Sequence, residues 1–124
     1  MTINKLVNQI VLINLNRLTK MSQSYLLVRH KIKDYQSWKN VFDSFIDIRR
    51  KGGEKSFQIF CPETEPNNLY LLFVWDNLDN AKKFVQSTEL KDTMMKAGVI
   101  EAPEILFLEE MASGIIIKFP EMKH

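Results

Sequence analysis

The sequence predicts one α+β domain, built on an antiparallel sheet that carries helices on one face. The length of 124 residues suits a single domain with a modest core. Strand-like and amphipathic helical segments alternate along the chain. The segment 69–76 reads as a strand that is apolar on both sides, so it needs a cover on each. A chain of this length supplies helices for one side only, and we expect a second subunit on the other.

The first strand is predicted at residues 25–32. Alternation places Leu26, Val28 and Ile32 on one side of it, together with His30. The other side carries the remaining side chains, which are Tyr25, Leu27, Arg29 and Lys31.

A long helix follows, with Asp34 as its N-cap and Gly52–Gly53 as its end. Its apolar stripe recurs at steps of three and four residues and consists of Tyr35, Trp38, Val41, Phe42, Phe45 and Ile48. Because helical spacing already accounts for Trp38 and Phe42, we interpret them as core residues. The basic run 49–51 is interpreted as a complement to the helix dipole, not as a nucleic-acid footprint.

Two further strands come next in the chain. Residues 56–61 alternate like a half-buried strand, and the polar segment 62–68 connects them to the strand at 69–76. One side of that strand carries Leu69, Leu71, Phe73 and Trp75, and the other carries Tyr70, Leu72 and Val74.

The last third of the chain predicts two helices and a strand. Asp76 or Asn77 caps a helix whose buried side consists of Leu78, Ala81, Phe84 and Val85. Ser87 caps a shorter helix that ends at Gly98, and residues 104–111 form the final strand. The resulting order is that of a ferredoxin-like βαββαβ fold, with the first and third strands central and the helices on one face.

We divide the chain into an N-terminal extension (1–23), the folded domain (24–112) and a C-terminal tail (113–124). The extension has apolar residues at helical spacing, but Met21 is an equally good candidate for the true start. A secretory signal fits less well, because the apolar run is interrupted and no small-residue cleavage site follows. The apolar run 115–117 is expected to pair with a sheet edge or to dock across a subunit boundary.

Composition argues against several classes of protein. A net charge of +2 with mixed signs predicts no nucleic-acid partner, and no segment is long enough to span a membrane. Cys61 is the only cysteine, which favours a reducing, cytoplasmic setting. With His30 and His124 as the only histidines, one chain cannot build a histidine-rich metal site, so we expect no metal.

Two segments carry a resemblance to a known superfamily. They are Leu27–Lys31, followed by Asp34, Tyr35 and Trp38, and then Phe73–Asp76. In this order they resemble small bacterial proteins of the dimeric α/β-barrel superfamily, in its cyclase-like and antibiotic-biosynthesis-type monooxygenase-like groups. The resemblance runs from about Tyr25 to Met111 and implies a homodimer whose open sheet faces form a barrel. It also implies a cavity between sheet and helices, which in relatives holds aromatic polyketides, lactones or haem.

The resemblance implies a small apolar or aromatic ligand and, as in some relatives, oxidation of anthrone-like phenols without metal or flavin. That chemistry needs a base, hydrogen-bond donors and aromatic walls. We take His30 as the candidate catalytic base, and Trp75, Phe73, Tyr25 and Arg29 as candidate substrate-binding residues. Because Tyr25 and Arg29 face away from His30, we favour a site around His30 and Trp75, with Arg29 at the surface or interface.

Other interpretations stay open. His30 also fits a buried core histidine bonded to a carboxylate or carbonyl, in which case the protein binds a ligand without catalysis or serves only assembly. No helix carries the histidine ligand of the superfamily's haem degraders, and no glycine-rich nucleotide loop is present, so we expect no cofactor. Glu109 and Glu110 fall on opposite faces of the final strand, and one of them needs a partner such as Arg29.

Overall fold

The computed structural model describes residues 23–117, which form four strands and four helices. The strands are β1 (Ser24–Lys31), β2 (Glu54–Phe60), β3 (Asn68–Trp75) and β4 (Glu104–Leu108). The helices are α1 (Tyr35–Ser44), α2 (Ile46–Gly52), α3 (Leu78–Val85) and α4 (Thr88–Lys96). The predicted extension before residue 23 and the end of the tail, 118–124, lie outside the described residues. None of these four helices is long and apolar enough to cross a membrane.

The strands form one antiparallel sheet in the order β2-β3-β1-β4. The central strands β1 and β3 pair along their whole length, from Ser24 opposite Trp75 to Lys31 opposite Asn68. Helices α1 and α2 connect β1 to β2, and helices α3 and α4 connect β3 to β4. This is the predicted ferredoxin-like fold, with the first and third strands at the centre of the sheet.

The two faces of the sheet differ in their covering. The face under the helices is at most 8% exposed at its central side chains, which are Leu26, Val28, Leu69, Leu71, Phe73 and Trp75. The opposite face, which we call the open face, carries the half-buried side chains Tyr25, Leu27, Tyr70, Leu72 and Val74. On its edge strands, Phe60 and Leu106 are 52% and 56% exposed. The open face is therefore mainly apolar, although Arg29, Gln58 and Glu104 also lie on it, and it has no cover within residues 23–117.

The predicted long first helix is divided into α1 and α2 at Phe45. The carbonyl of Phe42 explains the division. It accepts the backbone N–H of Phe45 at 3.2 Å, a tighter turn than an α-helix makes, and it also accepts from the guanidinium of Arg49. The hydroxyl of Ser44 donates to the carbonyl of Val41 at 2.7 Å, a local bond that competes with the helical pattern.

The helix ends follow the predicted chemistry. The side chains of Asp34, Asn77 and Ser87 each accept a backbone N–H from the first turn of α1, α3 and α4, respectively. Gly53 ends α2 with φ +122°, and Gly98 follows α4 with φ +78°.

The final strand is shorter than predicted. β4 ends at Leu108, so Glu109 and Glu110 lie beyond it and are exposed. Neither pairs with Arg29, whose Nε donates to Glu104 Oε2 at 3.1 Å across the β1–β4 pair. The predicted pairing with Arg29 was therefore wrong. Glu110 instead accepts a hydrogen bond from the Tyr25 hydroxyl, and burial together with this carboxylate raises the pKa of Tyr25.

The apolar part of the tail makes no strand. Residues 113–117 have no regular structure, and Ile116 is 100% exposed. The predicted pairing with an edge of its own sheet is thus absent over these residues, and docking across a subunit boundary remains a prediction.

We expect the substitution Gly53→Ala to destabilise the fold by roughly 1–3 kcal/mol, because the positive φ strains any residue with a Cβ. That Cβ would lie 2.4 Å from Asp76 Oδ1. The carboxylate is held in place by bonds from the Asn77 N–H and the Asn80 amide. Gly114→Ala is the matched control, since nothing lies within 4 Å of its Cβ position. Urea unfolding of both variants checks this, and equal stability of the two contradicts it.

Candidate functional site

A cavity of about 70 Å³ lies between the covered sheet face and the helices. Strands β1, β3 and β4 form its floor, and all four helices contribute to its walls. Most lining side chains are aliphatic or aromatic. The polar ones are His30, Arg49 and Thr93. The site is therefore an apolar space with few polar side chains. Small-molecule pockets are usually lined in this way, but they are several times larger.

His30 comes from the middle of β1 and is 6% exposed. Alternation along the strand turns it to the covered face, where its ring meets Trp38 edge-on at 5.7 Å between centroids. Neither ring nitrogen has a hydrogen-bond partner among the described residues. The alternative interpretation, in which His30 is a core residue bonded to a carboxylate or carbonyl, therefore does not hold within residues 23–117.

Burial also sets the charge of His30. Because the charged imidazolium is disfavoured away from water, its pKa is lowered to about 4. At neutral pH the ring is therefore uncharged, with one nitrogen as donor and the other as acceptor.

Arg49 is the second polar group of the cavity wall, and it is 2% exposed. Its Nε donates to both carboxylate oxygens of Glu54, at 3.0 and 3.1 Å. The guanidinium lies over the ring of Phe42, 3.8 Å from the centroid, and Nη1 donates to the Phe42 carbonyl. Burial raises the pKa of the Glu54 carboxyl, an effect that the charge of Arg49 partly offsets. Nη2 of Arg49 has no partner within residues 23–117.

The sequence analysis missed Arg49. It was interpreted with Arg50 and Lys51 as a basic run that complements the helix dipole. All three do lie in the last turn of α2, but the burial of Arg49 was not predicted. Arg49 lies four residues after Phe45, in the same stripe as Phe42, so the helical spacing already placed it on the buried side.

An aromatic wall connects these two polar groups. Trp38 and Phe42 are stacked at 4.9 Å between centroids, with 20° between their planes. His30 contacts the first ring, and Arg49 covers the second. The two residues were predicted as core, and they are buried, but both also line the cavity.

The predicted site residues divide between the two sheet faces. Phe73 lines the cavity with His30. Trp75 is on the same face and fully buried, but it packs on Phe84 at 5.0 Å and is not part of the lining. Tyr25 and Arg29 lie on the open face, as alternation implied. The structure therefore brings His30 and Phe73 together and separates them from Tyr25 and Arg29.

Helix α4 forms the outer wall of the cavity through Leu90, Thr93 and Met94. None of its residues is buried. Since helices in proteins depend mainly on packing for their stability, we expect α4 to be the wall that moves most easily if a ligand larger than the cavity enters.

Within the described part of the chain, no three His, Cys, Asp or Glu side chains cluster closely enough to hold a metal ion. The side chains around the cavity thus include a neutral imidazole and a guanidinium whose Nη2 is unpartnered in this part of the chain, behind mainly aliphatic and aromatic surfaces.

We expect His30 to make the free energy of unfolding fall as the pH drops from 6.5 towards 4. In this window the unfolded chain protonates its histidine and the folded chain does not, so acid favours unfolding. The full loss is about 3 kcal/mol, from ~1.4 kcal/mol for each pKa unit. Urea unfolding of the wild type and of His30→Leu at several pH values tests this. The free energy of unfolding of the wild type should fall relative to that of His30→Leu as the pH is lowered. A difference between the two free energies that does not change with pH contradicts the assignment.

No protein-family model and no curated protein matches the sequence. Solved structures match at the level of fold. SnoaB, a cofactor-independent oxygenase from Streptomyces nogalater, aligns with a TM-score of 0.61 and 10% identity, over 74% of this chain and 96% of that chain. A conserved protein from Methanosarcina mazei Go1 aligns with a TM-score of 0.61 and 16% identity, over 76% and 98% of the two chains.

A third structure comes from Caulobacter crescentus CB15 and carries the name of an antibiotic biosynthesis monooxygenase. Its TM-score is 0.59 at 15% identity, over 80% of this chain and 99% of that chain. At sequence identities this low, the matches show a shared fold and not a shared activity. The chain therefore has the ferredoxin-like fold of the antibiotic-biosynthesis-type monooxygenases, as the resemblance of its sequence implied.

Proposed function

We propose that this protein is a homodimer that binds a small apolar or aromatic molecule in the cavity and oxidises it with molecular oxygen, without a cofactor. The observation that carries the proposal is His30, buried at an apolar cavity with no partner for either nitrogen in residues 23–117. Leaving a buried polar group unpaired costs about 1–3 kcal/mol. A ligand that hydrogen-bonds to the imidazole removes this cost, whereas a residue that serves only packing needs no nitrogen at this position.

The proposed chemistry uses His30 as a general base. Its unprotonated nitrogen takes a proton from an activated CH₂ group of the ligand, and the electron-rich carbanion then reacts with O₂. One oxygen atom enters the product as a carbonyl, and the other leaves as water with the two hydrogens of the CH₂ group. The rings of Trp38, Phe42 and Phe73 line the cavity and limit the access of water.

Noncatalytic binding of the same kind of molecule is the alternative, and one observation favours it. The lowered pKa of His30, about 4, makes the neutral imidazole a weak base by itself. A residue of this kind holds a ligand hydroxyl well, but it needs help from the ligand to remove a proton.

The open face supports the homodimer. Monomeric soluble proteins rarely expose a large contiguous apolar patch, and a second copy placed face to face covers this one. The exposed isoleucines 115–117 are a further apolar surface that a partner subunit covers in this proposal. We also propose a cytoplasmic location, because the single cysteine, Cys61, is an exposed thiol and thiols of this kind persist in reducing compartments.

The substitution Leu72→Lys on the open face is expected to convert the dimer into a monomer, because a buried ammonium without a partner is costly in the interface. Lys83→Glu, on the exposed side of α3, is the control and should leave the dimer intact. Sedimentation velocity at micromolar concentration measures both. A wild-type protein that sediments as a monomer contradicts the dimer.

For catalysis, the probe is dithranol, a dihydroxyanthrone with an activated CH₂ group, in an oxygen electrode. We expect wild-type protein to consume one O₂ for each molecule oxidised, faster than the spontaneous reaction. His30→Leu should lower the catalysed rate by about 100-fold or more, and Lys83→Glu should not. Tryptophan fluorescence follows binding separately, because Trp38 lines the cavity. Binding without oxygen uptake supports the noncatalytic alternative, and absence of binding contradicts both.

A further inference from the structure

A second pocket, of about 260 Å³, opens at one end of the sheet, where β1 ends and β3 begins. It shares no lining residue with the cavity between the sheet and the helices, and part of its surface is polar. Its volume is close to the lower limit of about 300 Å³ for small-molecule pockets. The lining consists of Lys31, Ile32, residues 65–68 and Ile100. This end of the sheet therefore has room for a small molecule of its own.

Backbone hydrogen bonds hold the segments around this pocket in place. The N–H of Ile32 donates to the carbonyl of Asn67 at 2.9 Å, which joins the end of β1 to the segment before β3. The N–H of Ile100 donates to the carbonyl of Lys31 at 3.0 Å, which holds the chain after α4 against the same end of the sheet. Because the walls are already ordered, binding here requires little ordering of the chain.

Two side chains of opposite charge, Lys31 and Glu65, line the pocket. None of the ion pairs among residues 23–117 joins them to each other. The Lys31 ammonium lies 3.7 Å from Glu101 Oε1, which is farther than a hydrogen bond, and both of these side chains are partly exposed. Ion pairs of this kind contribute little to stability, so the ammonium can turn to a ligand at low cost.

Asn68 places the Glu65 carboxylate at this pocket. Its side chain is 6% exposed; Nδ2 donates to Glu65 Oε2 at 3.1 Å, and Oδ1 accepts from Arg29 Nη1 at 3.4 Å. Both ends of the amide are therefore held. Asn68 also lies directly opposite Lys31 in the β1–β3 pair, and the Cβ atoms of such opposite residues are about 5 Å apart. The ammonium and the carboxylate are thus within reach of one small molecule.

These charges and the apolar lining define a class of ligand. Lys31 attracts a carboxylate and Glu65 attracts an ammonium, so a molecule that carries both groups is complementary to the pocket. Ile100, which is 51% exposed, and Pro66 offer contacts to an apolar substituent. We infer that this pocket binds a free amino acid with an apolar side chain, whose carboxylate accepts from Lys31 and whose ammonium donates to Glu65.

The pocket also lies apart from the apolar row of the open face. In that row, Leu27 is opposite both Leu72 and Leu106. Lys31 follows four residues later, as the last residue of β1. Amino-acid binding here is thus independent of the ligand of the cavity, and it is tested on the wild-type protein in whichever oligomeric state it adopts.

L-Leucine is the probe, and two analogues are its controls: isocaproate, which lacks the ammonium, and isoamylamine, which lacks the carboxylate. Their dissociation constants are measured by titration in ¹H–¹⁵N NMR spectra of the full chain at neutral pH. Loss of one partly exposed charged contact predicts that L-leucine binds about fivefold more tightly than either analogue. If an analogue binds as tightly as L-leucine, or if no probe binds, the inference is overturned.

The same spectra locate the bound amino acid. We expect the largest changes in chemical shift at the backbone amides of Ile32, Asn68 and Ile100, which line the pocket. If the largest changes fall instead at Phe42 and Leu71, the amino acid has entered the cavity between the sheet and the helices, and the assignment to this pocket is wrong.

Two substitutions test the charged groups. Lys31→Met should lower the affinity for L-leucine to that for isoamylamine. Glu65→Gln should lower it to that for isocaproate, and its side chain still offers an oxygen to the Asn68 amide, so the pocket should persist. Lys33→Met and Glu63→Gln are the matched controls, because each lies two residues away, is exposed and does not line the pocket. Wild-type affinity in Lys31→Met or in Glu65→Gln overturns the inference.

Discussion

The fold depends on the central strand β3, whose side chains are apolar on both faces. On the covered face, Leu69, Leu71, Phe73 and Trp75 are at most 4% exposed, and they require helices above them. On the open face, Tyr70, Leu72 and Val74 stay half-buried within residues 23–117. The strand is paired with β1 along its whole length and with β2 from Tyr70 to Trp75, so its position in the sheet is fixed. The covered face places the cavity under the helices, and the open face is where we propose that a second subunit lies.

Some buried polar atoms on the covered side of the sheet have no hydrogen-bond partner. His30, Arg49 and Trp75 each keep a buried polar atom without a partner in the described part of the chain. In protein interiors nearly all buried polar groups have a hydrogen-bond partner. Three residues without one around a single small core therefore mark a region where hydrogen bonding is incomplete. Two of the three border the cavity, beside the helix that carries no buried residue. This pattern is typical of a binding site, because there the ligand supplies the missing contacts.

Local patterns predicted most of the fold and only part of the site. Alternation placed His30 and Phe73 on one face, and the caps at Asp34, Asn77 and Ser87 fixed the helix starts. The break between α1 and α2 was missed because it depends on the Arg49 side chain binding the carbonyl of Phe42, about two turns earlier, a contact that residue types do not reveal. For the same reason, the burial of Arg49 could not be predicted from its place in a basic run.

The two polar groups of the cavity also limit its chemistry. The cavity holds a neutral imidazole and a compensated guanidinium, so a lone anion formed in it would be poorly stabilised. In the proposed reaction, proton transfer to His30 avoids this difficulty, because it creates an imidazolium next to the new anion and leaves the net charge unchanged. The anion in turn raises the pKa of His30 from its low value of about 4. On this proposal, His30 can accept the proton when the negative charge of the ligand stays close to its ring. A ligand that forms no such anion is bound without reaction.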